Sequence, residues 1–504
     1  MVNQLKLGAI LSYVNIFVTL GIGLLFTPIM LRFLGQTEYG LYSLIGALVG
    51  YLSILDMGLG NAIVRYTARN RIIGNKKSEA SLNAMFLLLY LAVGILTVVV
   101  GLILYHNIDS VFINTLTNED LIKAKIMMIF LIFNFAVSFP LSIFTSIMQA
   151  YEKFVFLRVC NIFRMILNPI IVLPLLYFGY GSIMMVIVST VLNISFLFIN
   201  VYYCFKHLKI KMYFRNFDFI LLQEIAGYSF FIFLNVIMDK LYWSTGQFIL
   251  GIVSGTTQVA VYSIAVQIIT IYSSFSTAIT SVMLPRITIM VTNKISNDEL
   301  SNVMIKISRL QYIILSYILC IFIICGKAFI FFWAGKEYEN AYYIVVLLMS
   351  SLFISLIQTV GIVILQAKNM NKFRTTVYVV AALFSIIISI PLAKLYGGFG
   401  CAIGISIALI ISTVIIINLY YYYKIGLNMP AFWRNIFFLS RPVVLVILLG
   451  LSLNYILIEE SMLTMFLKLI MFSLIFTGLM YYMEMNQYEK GLLLKILRPF
   501  NVDR

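Results

Sequence analysis

The sequence predicts an all-α polytopic membrane protein, with about fourteen helices in two pseudo-symmetric six-helix lobes and two appended C-terminal helices. Three observations predict it. Hydrophobic residues make up 62% of the 504 and charged residues 11%, with a mean hydropathy of +1.02, a balance that leaves too few polar side chains to cover a soluble surface. Apolar stretches of about 20 residues or more, the length that crosses a hydrocarbon core, recur along the whole chain. The chain also matches itself at an offset of about 220 residues, the kind of internal repeat that decides an architecture.

The expected spans lie near 8–34, 40–66, 80–105, 122–149, 156–178, 182–205, 222–252, 258–290, 303–332, 341–366, 373–393, 399–423, 436–458 and 462–483. The first follows Lys6 and is too long for the apolar core of a signal peptide, with no small-residue cleavage site, so it is read as a retained span. The five cysteines (Cys160, Cys204, Cys320, Cys325, Cys401) fall in or beside apolar stretches without metal-ligand spacing, and read as small core residues.

Orientation follows from lysine and arginine in the connections. With both termini in the cytoplasm, the outward ends carry Arg32, Lys123, Lys125, Lys327, Lys336, Lys394 and Lys468, and Lys240 lies within a span, which leaves 27 of the 35 basic residues inside. Clusters such as Arg69, Arg71, Lys76, Lys77 and Lys206, Lys209, Lys211, Arg215 read as topology signal and anionic-lipid contact, and nucleic-acid binding gains nothing from them. The longest outward loop, near 106–121, is too short to fold as a catalytic domain. The stretch Lys206 to Leu221 alternates basic and aromatic residues, as an interfacial helix or strap would.

The nine residues Gly35 to Ser43 align with Gly255 to Ser263 at an offset of 220, and Asn15 then falls on Asn235. Asn75 meets Asn293, Gln149 meets Gln366, Lys153 meets Lys372, and Pro174 with Gly179 and Gly181 meets Pro391 with Gly398 and Gly400, in the same order at 217 to 220. Each copy holds an even number of spans, so the copies have parallel topology. The chain divides into a first lobe at 1–205, a cytoplasmic linker at 206–221, a second lobe at 222–424, and the last two spans with a tail at 425–504.

Ser263, Gln267, Thr270, Ser274, Thr277 and Ser281 recur at spacings of three and four, which keeps them on one face of the eighth span. Asn235, Asp239 and Trp243 share a face of the seventh; Asn134, Ser138, Ser142, Thr145 and Gln149 mark the fourth, Asn15 and Thr19 the first, and Ser351, Ser355 and Gln358 the tenth. Such stripes serve either hydrogen bonding between helices or a hydrated cavity. Asp56, Asp239 and Lys240 are ionisable groups within spans, where charge marks function or internal pairing. Arg65, Arg164 and Arg286 sit near inner helix ends, and Arg65 and Arg286 correspond in the repeat to within one residue. Two guanidinium forks suit a pyrophosphate; the alternative is that both snorkel to lipid headgroups. Asp56 to Gly60 places two glycines in the second span, where a bend or close helix packing is expected.

The stretch Leu31 to Tyr42 (LRFLGQTEYGLY) and the stretch Tyr51 to Tyr66 (YLSILDMGLGNAIVRY) resemble the Wzx-type O-antigen and polysaccharide flippases of the multidrug/oligosaccharidyl-lipid/polysaccharide exporter superfamily, and the resemblance extends over essentially the full length. It implies a MATE-like fold in the bacterial inner membrane, a non-enzymatic monomer without cofactor, and alternating access around a cationic cavity. The implied cargo is an undecaprenyl-pyrophosphate-linked oligosaccharide, passed from the cytoplasmic to the outer leaflet, with polysaccharide polymerase machinery as a partner. Carried onto this chain, Arg65 and Arg286 would hold the pyrophosphate, with Lys240 and Arg164 as further cavity cations. Asp239, Asp56, Asn235, Asn15, Gln267 and Ser274 would line or couple the cavity, Asp239 as the site of a proton or sodium ion. Tyr242, Trp243 and Tyr262 would touch sugar. A cation-coupled multidrug exporter of the same superfamily is the alternative; a glycan polymerase or ligase would need a larger outward loop.

Overall fold

The computed structural model describes residues 4–74, 76–214, 219–456 and 461–497. Of the residues singled out above, Asn75 and Arg215 and the side chains of Lys6 and Ser281 lie outside that description.

Among the described residues, each of the fourteen expected spans falls on helix, the second with a break at Met57 and Gly58. The order is α1 (Gln4–Gly50), α2 (Leu59–Ile73), α3 (Lys76–Phe112), α4 (Asn118–Ala150), α5 (Phe154–Tyr177), α6 (Gly181–Lys206), α7 (Phe219–Trp243), α8 (Thr245–Val253), α9 (Thr256–Thr292), α10 (Asn297–Trp333), α11 (Ala341–Ile357), α12 (Thr359–Ala367) and α13 (Asn371–Leu409). Beyond it α14 (Asn418–Tyr420) lies between two π-helical stretches, followed by α15 (Met429–Ile456), α16 (Met462–Met483) and α17 (Gln487–Leu497). Among the described residues, ten helices are long and apolar enough to cross a membrane, eleven if α11 and α12, bent by 41°, count as one. Two of these runs each hold two expected spans: α1 turns at Gly35, and α13 at Gly397. The last helix, α17, was not foreseen as an element.

Helix starts are chemically marked. Thr117 and Asp120 form a capping box at α4, Ser461 and Thr464 one at α16, and Ser296 accepts from the Glu299 N–H at α10. The turns carry the repeat in their backbone. Left-handed residues stand at Gly35, Gly74, Glu152, Gly179 and Lys209, and again at Gly255, Lys294, Asn369, Gly397 and Gly426, offsets of 220, 220, 217, 218 and 217. A positive φ is a sparse conformation for any residue but glycine, so ten such positions in two matched series support the duplication independently of side-chain identity. The resemblance motif gains a purpose from the same turns. Glu38 Oε1 accepts from the Ser182 N–H at 2.7 Å, and Gln258 Oε1, its counterpart at offset 220, accepts from the Gly398 N–H at 3.3 Å. Each satisfies a backbone donor that hydrocarbon could not.

Contacts divide the chain into two compact units, residues 1–263 with 393–398, and residues 264–392 with 399–504. In the first, a core of Ile63, Tyr66, Phe86, Tyr90, Ile143 and Ile147 joins α2, α3 and α4. The boundary at Ser263 falls inside the segment that the sequence repeat assigns to the second copy. Accordingly α8 packs on α1, and α7 on α2, while the carbonyl of Thr256 comes so near Gly40 that a Cβ there would lie 2.0 Å from the oxygen. After α6 the chain runs without helix from Leu208 to Phe214, held by the Tyr213 N–H on the Ala80 carbonyl at 3.0 Å, and α7 begins at Phe219. Arg71 bonds the last carbonyl of α4, at Ala150, and stacks 4.0 Å from the Tyr151 ring; this basic cluster therefore also ties helix ends together.

In the second unit α17 is clamped beneath α10. Arg309 Nε and Nη2 reach Glu489 Oε1 and Oε2 at 2.7 and 2.9 Å, and Nη2 also reaches the Glu484 carbonyl; Glu489 is 3% exposed. Removing one partner of a buried pair strands the other charge at a cost of about 3–5 kcal/mol. Glu489→Ala will therefore lower the melting temperature of the purified protein substantially, and Arg309→Met with Glu489→Leu will recover most of the loss. Gly40→Ala will cost about 1–3 kcal/mol through overpacking, whereas Gly46→Ala, with open space at its Cβ, will stabilise by about 0.5–1 kcal/mol. Thermal unfolding of the two variants side by side checks both signs.

Candidate functional site

In the first unit one face of α5 carries the most concentrated polar chemistry. Asn161 and Arg164 are one turn apart, and Asn161 Nδ2 donates to Asn15 Oδ1 on α1 at 2.9 Å. Arg164 donates through Nη2 to Asn161 Oδ1 at 3.0 Å and through Nη1 to Asn193 Oδ1 on α6. Asn193 Nδ2 passes the chain on to Asn134 Oδ1 and Ser138 Oγ of α4, at 2.9 and 2.8 Å. Four helices are thus joined by one guanidinium and neutral amides. Toward the end where α4 and α6 finish, the same face opens into a cavity of about 280 Å³ lined by Arg158, Arg164, Gln149, Thr145 and Asn200 among others, none of them acidic. The stripe on α4 therefore serves both expected purposes, bonding helices through Asn134 and Ser138 and lining a cavity through Thr145 and Gln149.

Only the first copy holds this arrangement. At offsets of 217 and 218 the position of Arg164 is taken by Ala381 or Ala382, and that of Asn193 by Ile410 or Ile411. Asn15 proved a member of the network; its repeat counterpart, Asn235, is half-buried on α7.

A second cluster lies where the second expected span breaks. Residues Tyr51–Asp56 form a 3-10 turn, and Met57 and Gly58 are both left-handed before α2 begins. The bend expected at the glycines is present, and so is the close packing: a Cβ at Gly58 would lie 2.4 Å from Ile232 of α7. The Asp56 carboxylate accepts from Tyr90 Oη at 2.7 Å, which engages it in holding the break. Tyr51 Oη and Thr245 Oγ1 share a hydrogen bond of 2.5 Å across to the break between α7 and α8. Lys240, half-buried, brings its Nζ to Gly50, 3.6 Å from where a Cβ would stand, beside the end of α1. Its neighbour Asp239 is exposed, as adjacent positions on a helix diverge by about 100°.

Arg65 is exposed on α2 with its guanidinium 5.7 Å from the Tyr66 ring, and Arg286 is exposed on α9; they belong to different units. On α9, Ser263, Thr270, Ser274 and Thr277 donate to carbonyls of their own helix, and Ser263 Oγ in turn accepts from Gln247 Nε2 at 2.8 Å. Gln267 and Ser274 are half-buried on this stripe, while Ile269 and Tyr272 on the far side are 0% and 1% exposed. Of the aromatic residues assigned to sugar, Tyr262 is fully buried against Gly246, Tyr242 is 7% exposed, and Trp243 is half-buried. Tyr262 is a packing residue, because Gly246 leaves room for its ring.

Sequence reading missed two groups. Gln311 Nε2 bonds Thr359 Oγ1 at 2.8 Å and Ser276 Oγ at 3.1 Å inside the second unit; a lone glutamine in the apolar run of α10 was the available signal. Arg158, Asn161, Asn193 and Asn200 were not singled out, although 158, 161 and 164 recur every three residues along one side of α5. Among the described residues no group of His, Cys, Asp and Glu could hold a metal ion.

The family described as Polysaccharide biosynthesis protein matches residues 5–291. The chain is 22% identical over 401 residues to a Shigella flexneri protein named "Putative O-antigen transporter", covering 77% of this chain and 91% of the relative. Among solved structures, an inward closed form of the lipid II flippase MurJ superposes with a TM-score of 0.71 at 16% identity, covering 94% of this chain and 99% of that one. An inward-facing multidrug resistance MATE transporter of the MOP superfamily gives 0.56 at 15% identity, covering 78% and 96%. At these identities the superpositions show the fold: all-helical and MATE-like.

Hydrogen bonds to a charged group are worth about 1.5–3 kcal/mol, so Asn193→Leu, which removes the acceptor for Arg164 and the donor to Asn134 and Ser138, will destabilise the purified protein by that order or more, while Asn193→Asp, which restores only the acceptor, will recover part of the loss; paired thermal melts distinguish them.

Proposed function

The chain belongs to the polysaccharide biosynthesis protein family, and on that premise we propose that it is a flippase for a polyprenyl-pyrophosphate-linked oligosaccharide. The cargo passes from the cytoplasmic to the outer leaflet of the cell membrane, for surface polysaccharide assembly. The similar proteins that carry a named role are an O-antigen transporter, a lipid II flippase and a multidrug transporter, none of them an enzyme.

The observation that carries the reading is the acid-free polar cavity between α4, α5 and α6, in which Arg164 is held by amides. A guanidinium with no carboxylate beside it inside an apolar bundle favours an anionic ligand; a cationic drug would call for acids at that place. In this reading the lobes at 1–205 and 222–424 alternate in access, both termini lie in the cytoplasm of a bacterial inner-membrane protein, and 206–221 links the lobes. Arg65 and Arg286 grip the pyrophosphate, Lys240 contributes a further positive charge, and the glycan passes Asn235, Gln267 and Ser274. Asp239 carries the coupling proton or sodium ion, and the polymerase machinery takes up the product outside.

A charge-assisted bond to phosphate is worth about 1.5–3 kcal/mol, so Arg65→Ala with Arg286→Ala will reduce surface polysaccharide by about tenfold or more while membrane abundance stays normal. Undiminished surface glycan in that strain would remove the pyrophosphate role. For Asp239→Asn, translocation in proteoliposomes will lose its dependence on a proton or sodium gradient; wild-type translocation indifferent to both gradients would end the coupling role.

A further inference from the structure

In the second unit α15 has two unlike faces. Phe432, Ile436, Leu439, Val443 and Val446, at spacings of three and four, are buried in a helix that packs on α10 and α16. Tyr312 of α10 donates to Ser440 Oγ at 2.8 Å, and Trp433 Nε1 donates to Asn418 Oδ1 at 3.1 Å, so the rotation of α15 about its axis is fixed. The other face, with Phe437, Val444, Leu445 and Leu448, is exposed and apolar, the character of a span surface turned to lipid.

Arg434 and Arg441 interrupt that apolar face. Both are exposed, seven residues and so about 10 Å apart along the axis, yet their guanidinium groups converge on one ring, 6.0 and 4.6 Å from the centre of Phe438. Beside them Pro430, Ala431, Arg434, Asn435 and Phe438 line a groove of about 440 Å³ that contains no acid. Glu484 stands 3.8 Å from Arg441, beyond hydrogen-bond distance, and among the described residues Arg434 has no carboxylate or other acceptor. Two guanidinium charges against one carboxylate leave one net positive charge. Depth identifies what meets it. The exposed apolar residues of α15 run from Phe437 to Leu451, so Arg434 lies about one turn outside the apolar belt and Arg441 about one turn inside. Arginine at such a boundary reaches for the headgroup layer. A headgroup with one net negative charge balances the face, its phosphate between two guanidinium forks and its acyl chains along Val444, Leu445 and Leu448.

We propose that this face of α15 is a binding site for one monoanionic glycerophospholipid of the surrounding bilayer, held by Arg434 and Arg441 over Phe438. The site is on the lipid-facing surface of the second unit and takes a membrane lipid, not the cargo. Its assignment to the cytoplasmic leaflet rests on the orientation proposed above; the binding itself does not, and it stands or falls independently of glycan transport.

The test uses the purified full-length protein, delipidated in detergent, with native mass spectrometry to titrate bound lipid and thermal melts to check the fold. The probes are phosphatidylglycerol, phosphatidylethanolamine, undecaprenyl phosphate and soluble glycerol phosphate. Phosphatidylglycerol will bind saturably, and zwitterionic phosphatidylethanolamine about fivefold more weakly. Arg434→Gln and Arg441→Gln will each weaken phosphatidylglycerol by a similar factor. Arg434→Gln alone decides the matter if Arg441→Gln melts early, because it strands no carboxylate. The control pair Arg69→Gln with Lys77→Gln, exposed basic residues of the first unit, will leave the titration unchanged. A control pair that weakens binding as much as Arg434→Gln makes the contact a diffuse field and overturns the site. So does phosphatidylethanolamine binding as tightly as phosphatidylglycerol, or no phosphatidylglycerol binding by a normally melting wild type. Tighter binding of undecaprenyl phosphate, lost in Arg434→Gln, would make the groove part of the cargo path, and displacement by glycerol phosphate would make it a soluble-phosphate site; either result ends the membrane-lipid assignment.

Discussion

In hydrocarbon no water completes a hydrogen bond, so every polar group inside this chain must find its partner in the chain or in a ligand. The rest of the structure follows from that condition. Helices are closed by left-handed residues at matched turns, and helix starts are capped by Thr117, Ser296 and Ser461. Where a backbone donor of α6 or of the second half of α13 would be stranded, the side chain of Glu38 or Gln258 reaches it. Serine and threonine on α9 return their protons to their own helix carbonyls. Arg164 is the extreme case, a charge solvated by amides of its own helix and of α6.

The same condition makes departures from symmetry informative. Duplication alone would place similar groups in both copies, and the turns obey it closely. The interior does not. The first copy has a broken second span held by Asp56 and Tyr90, and the arginine–amide network, while α9 at the matching place runs on as helix and the residues matching Arg164 and Asn193 are apolar. The second copy has instead the Gln311, Ser276 and Thr359 cluster, neutral throughout, and the buried Arg309–Glu489 pair that fastens α17. Arg164 thus faces a cavity without an acid, whereas Arg309 is satisfied by Glu489 within the chain.

Much of this was legible from residues. Composition and the recurrence of apolar stretches determined the class and the positions of the spans, because a span needs only length and apolarity. The offset between Gly35 and Gly255 marked the repeat, and the pair of glycines at 58 and 60 marked the bend, because glycine is the residue that such backbone requires. Arg164, Asn15 and the stripe on α4 were also visible as polar residues in apolar surroundings. Their connection was not, since the bonds join residues 15, 134, 161 and 193, far apart in sequence, and helical spacing within one element says nothing about which neighbour its face meets. For the same reason Asn200 carried no signal, and Tyr262 looked available for sugar until Gly246 proved to be its seat.

The sequence by itself determined an all-helical, duplicated membrane protein with basic residues at particular depths, since hydropathy, repeat offset and turn residues are properties of the chain read locally. Only the tertiary structure decided that Asp56 is occupied by Tyr90, that Lys240 lies against the end of α1, and that Arg164 has amide partners and no acid. Partnership in a low-dielectric interior is set by which helices pack together, and it separates a charge that holds the fold from one left to hold a ligand.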